Sequence, residues 1–173
     1  MYSQRPERAA PLLSRYAPRE RNSRQIVNQP ITVVLVEDDP NDAMLIRRAF
    51  ERTTGEMGFI HLSDGDAAVR YLASEPPYDN RSRSATKLMV LLDIKLPRRS
   101  GFDVLRWVRT QPAPTCRVPI LMLTSSDQKA DIDRSFDLGA TAYLRKPSRT
   151  KLLSEMMSDF KTFWIKWSET PEI

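Results

Sequence analysis

Cysteine is almost missing from this chain: Cys116 stands alone among 173 residues. No internal disulfide can form, and a reducing, cytoplasmic setting is the expected home. With no histidine placed to activate it, Cys116 reads as a packing or surface residue. Histidine is equally scarce. His61 falls on a strand away from the expected site and reads as a packed or surface side chain. No run approaches the roughly 20 apolar residues that a membrane helix needs. The opening MYSQRPERAAPLLSRYAPRE is broken throughout by charge and proline, so it lacks the apolar core of a secretory signal. Neither GxGxxG nor a Walker motif occurs, which disfavours dinucleotide and nucleoside triphosphate sites.

What is present divides unevenly. The length suits one domain of about 100–150 residues plus tails. The net charge is +5, and residues 1–29 hold six arginines (Arg5, Arg8, Arg15, Arg19, Arg21, Arg24) against Glu7 and Glu20. Most of the positive charge therefore belongs to this arm. A basic arm can touch nucleic acid or anionic lipid through counterion release. Its Pro, Ser, Arg and Gln content, without a folded reader motif, reads instead as a solvated leader. The expected organisation is a basic arm over 1–29, a domain over 30–167 and a short tail over 168–173.

Within the domain, short β-branched runs alternate with helical patterns. Ile31–Val36 (ITVVLV) reads as a strand buried on both faces. Asp39 or Asn41 can cap the helix that follows. Gly58–Leu62 is a second strand, and Asp66–Ala73 a second helix after a Ser-Asp-Gly turn. A polar, proline-rich loop over 74–87 leads to Leu88–Leu92, a third strand ending at Asp93. Helix Phe102–Arg109, strand Pro119–Leu123, helix Asp127–Leu138 closing at Gly139, strand Ala142–Leu144 and a last helix from a Ser148 cap to about Trp167 complete the series. Repeated β-α alternation predicts an α/β fold, a doubly wound parallel sheet covered by helices on both faces.

In such sheets ligands sit beyond the carboxyl ends of the strands. Glu37, Asp38 and Asp39 follow the first strand, Asp93 the third, Thr124 the fourth and Lys146 the fifth. Carboxylates gathered on one rim repel one another, and a cation would hold them ionised. Oxygen donors without His or Cys favour a hard ion, Mg2+ above all. A carboxylate to attack phosphorus, a lysine to neutralise charge and a hydroxyl donor are the parts of a phosphoryl-transfer site. Asp39 and Asp42 read as helix-cap and turn residues.

The motifs VLVEDDP, LLDIKLPRRSG, ILMLTSSD and AYLRKP resemble the receiver domain of two-component response regulators, over residues 31 to about 160. The resemblance implies a flavodoxin-like five-stranded parallel sheet of order 2-1-3-4-5. It implies Asp93 as phosphoacceptor, Thr124 as switch hydroxyl, Tyr143 as switch aromatic and Lys146 as the family lysine, followed by a cis bond to Pro147. Asp38 and Asp93 would bind Mg2+ directly, Glu37 through water, and the backbone carbonyl of Lys95 would complete the protein ligands. The donor would be a partner histidine kinase or phosphotransfer protein. Such a chain is a signalling switch that catalyses only its own phosphorylation and dephosphorylation, acting by protein–protein contact or in a phosphorelay. Lys95 departs from the neutral residue common two places after the acceptor, which implies an altered phosphoaspartate lifetime. VEDDPNDA, the long loop before the third strand and the FWIKW ending together resemble the stand-alone regulators paired with bacterial and cyanobacterial phytochrome kinases.

Two other classes remain open at this level. One is a nucleic-acid binder working through the arm. The other is an aspartate-nucleophile phosphohydrolase, against which the lysine at 95 argues, since that class carries a second Asp there. In the last helix Leu152, Leu153, Met156, Met157, Phe160, Phe163, Trp164 and Trp167 recur with helical spacing. The distal aromatics are either a core-covering stripe or anchors of a homodimer formed through this helix or the switch face.

Overall fold

The computed structural model describes residues 31–52, 57–79 and 87–167. The arm, the centre of the 74–87 loop and the tail lie outside these residues. Five strands, β1 (Ile31–Val36), β2 (Met57–Leu62), β3 (Lys87–Leu92), β4 (Ile120–Thr124) and β5 (Ala142–Arg145), alternate with α1 (Pro40–Glu51), α2 (Gly65–Ala73), α3 (Gly101–Thr110), α4 (Lys129–Asp137) and α5 (Thr150–Trp167). The sheet is wholly parallel in the order β2-β1-β3-β4-β5. The expected order therefore holds.

Side-chain alternation along the strands builds two apolar layers. Val34, Val36, Leu88, Val90, Leu92, Ile120 and Met122 face α2 and α3. Val33, Leu35, Met89, Leu91, Leu121 and Leu123 face α1 and α5, where Ile46, Phe50, Leu153, Met157 and Trp164 meet them. Continuous apolar strands are what a two-faced sheet demands, because successive residues point to opposite sides and both sides are covered. Each helix buries the face its 3.6-residue period brings inward.

Helix starts follow local chemistry. Asp39, of the two candidates, caps α1 by accepting from the Asn41 N–H, with Pro40 at the first turn. Asp64 caps α2 by accepting from the Ala67 N–H. Helix α4 begins two residues later than the sequence pattern indicates. The Ser126 hydroxyl donates to Asp131 at 2.6 Å and accepts from the Gln128 N–H, so the segment after β4 is used as a turn. Helix α5 starts at Thr150, past Ser148; its first backbone bond runs from the Leu153 N–H to the Arg149 carbonyl. The cis bonds of the described residues precede Pro77 and Pro114, so the expected cis bond before Pro147 does not hold. The Lys146 N–H donates to the Thr124 carbonyl at 2.7 Å, prolonging the ladder to the residue before that proline and delivering the side chain to the rim.

Gly101 is required by proximity. A Cβ there would lie 2.0 Å from the Asp93 carbonyl oxygen, because α3 starts against the end of β3. Gly139, at φ +88°, closes α4 in the left-handed conformation the sequence pointed to.

Candidate functional site

The carboxyl ends of β1, β3, β4 and β5 converge on one rim. Glu37, Asp93 and Thr124 are buried there, while Asp38 is exposed. One carboxylate oxygen from each of Glu37, Asp38 and Asp93 lies within 4.8 Å of the other two. Lys146 is drawn over from beyond β5. Its ammonium pairs with Glu37, lies 3.1 Å from an Asp42 oxygen and 3.9 Å from Asp93 Oδ2.

The electrostatics follow from burial. Loss of hydration pushes the Glu37 carboxyl up to about 7, against the opposing pull of Lys146. Burial also raises Asp93 above the ordinary aspartate value, with Lys146, the Thr124 hydroxyl and the Ile94 backbone opposing it. Burial alone would lower the Lys146 ammonium, but Glu37, Asp93 and Asp42 outweigh it and hold its pKa above the usual lysine value. Among the described residues Asp93 Oδ1 is buried without a hydrogen-bond partner. An orphaned, acceptor-only oxygen costs free energy wherever water is excluded, and beside two further carboxylates it suits a hard divalent cation. The all-oxygen donor set fits such an ion.

Thr124 and Tyr143, the residues expected to form the switch, lie on the next two strands. Thr124 is wholly buried, and its hydroxyl accepts from the Ser126 N–H at 3.3 Å. Tyr143, half-buried, donates its hydroxyl to the Ser126 carbonyl at 3.0 Å. Burial raises its phenol above the ordinary value. Both side chains thus engage the same residue of the β4–α4 loop. The β3–α3 loop, where Lys95 is exposed, is tied to the start of α2 by Arg98–Asp64 at 3.1 Å and Arg99–Asp66 at 3.0 Å.

A scan against family models matches the response regulator receiver domain over residues 33–158. The chain belongs to the response regulator receiver family. Receivers are signalling switches and not metabolic enzymes; they are phosphorylated on an aspartate by a kinase, their partner is a histidine kinase, and they bind a divalent metal. The response regulator Rcp1 of Synechocystis sp. is 31% identical over 144 residues, which cover 83% of this chain and 95% of Rcp1. Its Mn2+-bound crystal structure matches at a TM-score of 0.75, covering 82% of this chain and 99% of that one. The phosphorylated cyanobacterial phytochrome response regulator RcpA also matches at a TM-score of 0.75 and 30% identity, covering 81% of this chain and 97% of its own. The receiver fold read from the sequence is thereby established, as is the similarity to phytochrome regulators.

Glu37, Asp38, Asp93, Thr124 and Lys146 lie on this rim, whereas the Tyr143 hydroxyl turns to the β4–α4 loop and the Lys95 side chain is exposed. Two further residues belong to it. Asp42, read as a turn residue, contacts Lys146, because the first turn of α1 carries it back over the rim. His61, expected away from the rim, lies against it. In the parallel register Leu35 pairs with His61, and the imidazole Nε2 sits 2.8 Å from the Glu37 carbonyl. Neither contact leaves a mark in local sequence. Among the described residues no helix is long and apolar enough to cross a membrane.

Proposed function

We propose that Asp93 is the phosphoacceptor and that the chain receives a phosphoryl group from the phosphohistidine of a partner kinase, with Mg2+ as the divalent ion. The observation that carries this reading is the buried, unpartnered Asp93 Oδ1, set among two carboxylates, a lysine and a buried threonine. An Asp93 carboxylate oxygen forms the new bond to phosphorus while the phosphorus–nitrogen bond of the phosphohistidine breaks, and the imidazole leaves. Asp38 and Asp93 would hold the ion, Glu37 would assist through water, and the Lys95 carbonyl would complete the protein ligands. When bound, the ion neutralises charge on the phosphoryl oxygens. Lys146 pairs with one phosphoryl oxygen and the Thr124 hydroxyl donates to another. Thr124 then gives up its contact with the Ser126 N–H, and Tyr143 follows by leaving the Ser126 carbonyl and turning inward. This couples Asp93 to the α4–β5–α5 face.

The likeness to Rcp1 and RcpA supports a phytochrome as the kinase. The sheet and its two helical layers support residues 30–167 as the receiver unit. A homodimer through α5 is supported by Leu152 and Phe163, 46% and 55% exposed. They are three helical turns apart and so share one stripe.

The test is intact-mass analysis after incubation with Mg2+ and acetyl phosphate. One Mg2+-dependent phosphoryl adduct is expected on the wild type and none on Asp93→Asn. An adduct that survives Asp93→Asn would refute the assignment.

A further inference from the structure

Lys146 has more carboxylate partners than its role at Asp93 requires. Its ammonium, on a side chain only 8% exposed, meets Glu37, Asp42 and, at longer range, Asp93. Two of these, Glu37 and Asp93, belong to the group of three carboxylates able to hold a cation, whereas Asp42 does not. A divalent ion on that group competes with Lys146 for Glu37 and repels the ammonium. At such separations and with little water between, like charges interact strongly. A lysine losing its main partner beside a dication would swing toward solvent and no longer reach Asp93.

We propose that Asp42 is a positioning residue that keeps Lys146 at the rim when the cation draws Glu37 away. Its place is fixed by the fold: α1 starts at Pro40, soon after β1 ends at Val36, and its first turn brings Asp42 within 3.1 Å of the ammonium while leaving it outside the metal group. The two carboxylates divide the work. Glu37 serves the cation, and Asp42 anchors the lysine whether or not the cation is bound. Asp42 thus lets one small rim carry both positive charges. The inference rests on the metal reading above and concerns only how Lys146 is held.

The experiment compares wild type, Asp42→Asn, Lys146→Met and the double variant. Mg2+ binding is measured by calorimetry. The reactivity of Lys146 toward an amine-acylating reagent is read by peptide mass spectrometry, with and without Mg2+. Asp42→Asn preserves shape, and circular dichroism with urea midpoints reports whether folding is kept. With Lys146 present, Asp42→Asn should raise the Mg2+ dissociation constant roughly fivefold, the scale of one short-range charge interaction in a half-screened site. In the Lys146→Met background the change should be about twofold or less, the residue of a generic charge effect. Lys146 acylation should rise in Asp42→Asn, most of all with Mg2+. Equal effects of Asp42→Asn in both backgrounds, or unchanged acylation, would overturn the proposal. If the wild type bound no Mg2+, the metal reading would fail, and acylation in metal-free buffer would still decide whether Asp42 holds the lysine.

Discussion

At the residue scale the rim is a problem in burying charge. Glu37, Asp93 and Lys146 are kept from water and satisfied mainly by one another, and one oxygen of Asp93 is left over among the described residues. Such groups are recognisable in sequence only when they stand directly at strand ends. Asp93, Thr124 and Lys146 do so, and each announces itself. Asp42 does not, since one turn inside a helix an aspartate looks the same whether it faces solvent or a lysine. Lys95 is the local departure. Its side chain is exposed two residues after Asp93, and with Asp93 as the proposed phosphoacceptor it would stand in the approach of water to the phosphoryl group. Replacing this long chain with a short one opens that approach. Lys95→Asn should speed phosphoaspartate hydrolysis by a factor on the order of ten, about 1.4 kcal/mol of barrier. Decay followed by phosphate release or intact mass will show it, and an unchanged rate would leave Lys95 without a role.

At the scale of elements, helix ends do much of the positioning. Helix α3 begins against the Asp93 carbonyl, and Ser100 sets its start. The Ser100 hydroxyl donates to Asp103 at 2.6 Å and accepts from the Asp103 N–H, a reciprocal cap. The Ser100 hydrogen bond holds the Asp103 carboxyl below the ordinary aspartate value, with Arg106 assisting. A carboxyl lowered in the folded state adds stability above its unfolded pKa of about 3.9, and that increment is lost as pH falls through the folded value. Ser100→Ala should therefore cost about 1 kcal/mol at neutral pH. The difference from wild type should shrink below about pH 4, as urea denaturation across pH will show. A gap that persisted at low pH would assign the loss to the backbone cap alone. The Gly139 closure was visible in the sequence. The late start of α4 was not, because the serine that turns the chain there has its partner five residues on.

At the scale of the whole molecule the two helical layers differ in what they leave outside. The aromatic stripe of α5 divides between a packed and an exposed side. Trp164 is buried against the second core layer and Phe160 packs beside it, while Phe163 stands exposed; the Trp167 side chain lies outside the described residues. The helix thus covers the sheet and also leaves exposed the apolar line that the proposed dimer would cover. Sedimentation velocity at micromolar concentration should show a dimer, and Phe163→Asp should give a monomer with an unchanged urea midpoint. A wild-type monomer at those concentrations would end the α5 dimer proposal.

The sequence by itself determined the fold class, the strand count and which reactive residues stand at the strand ends. These depend on local signals: apolar runs long enough for a buried strand, breakers between them, and reactive residues placed just past the strand ends. Only the tertiary structure decided which charge meets which. Lys146 reaches Glu37 and Asp42, more than 100 residues earlier in the chain, and His61 reaches the Glu37 carbonyl from the neighbouring strand. A salt bridge or a hydrogen bond between distant residues is a property of the register and the packing that close the distance, and no local pattern encodes it.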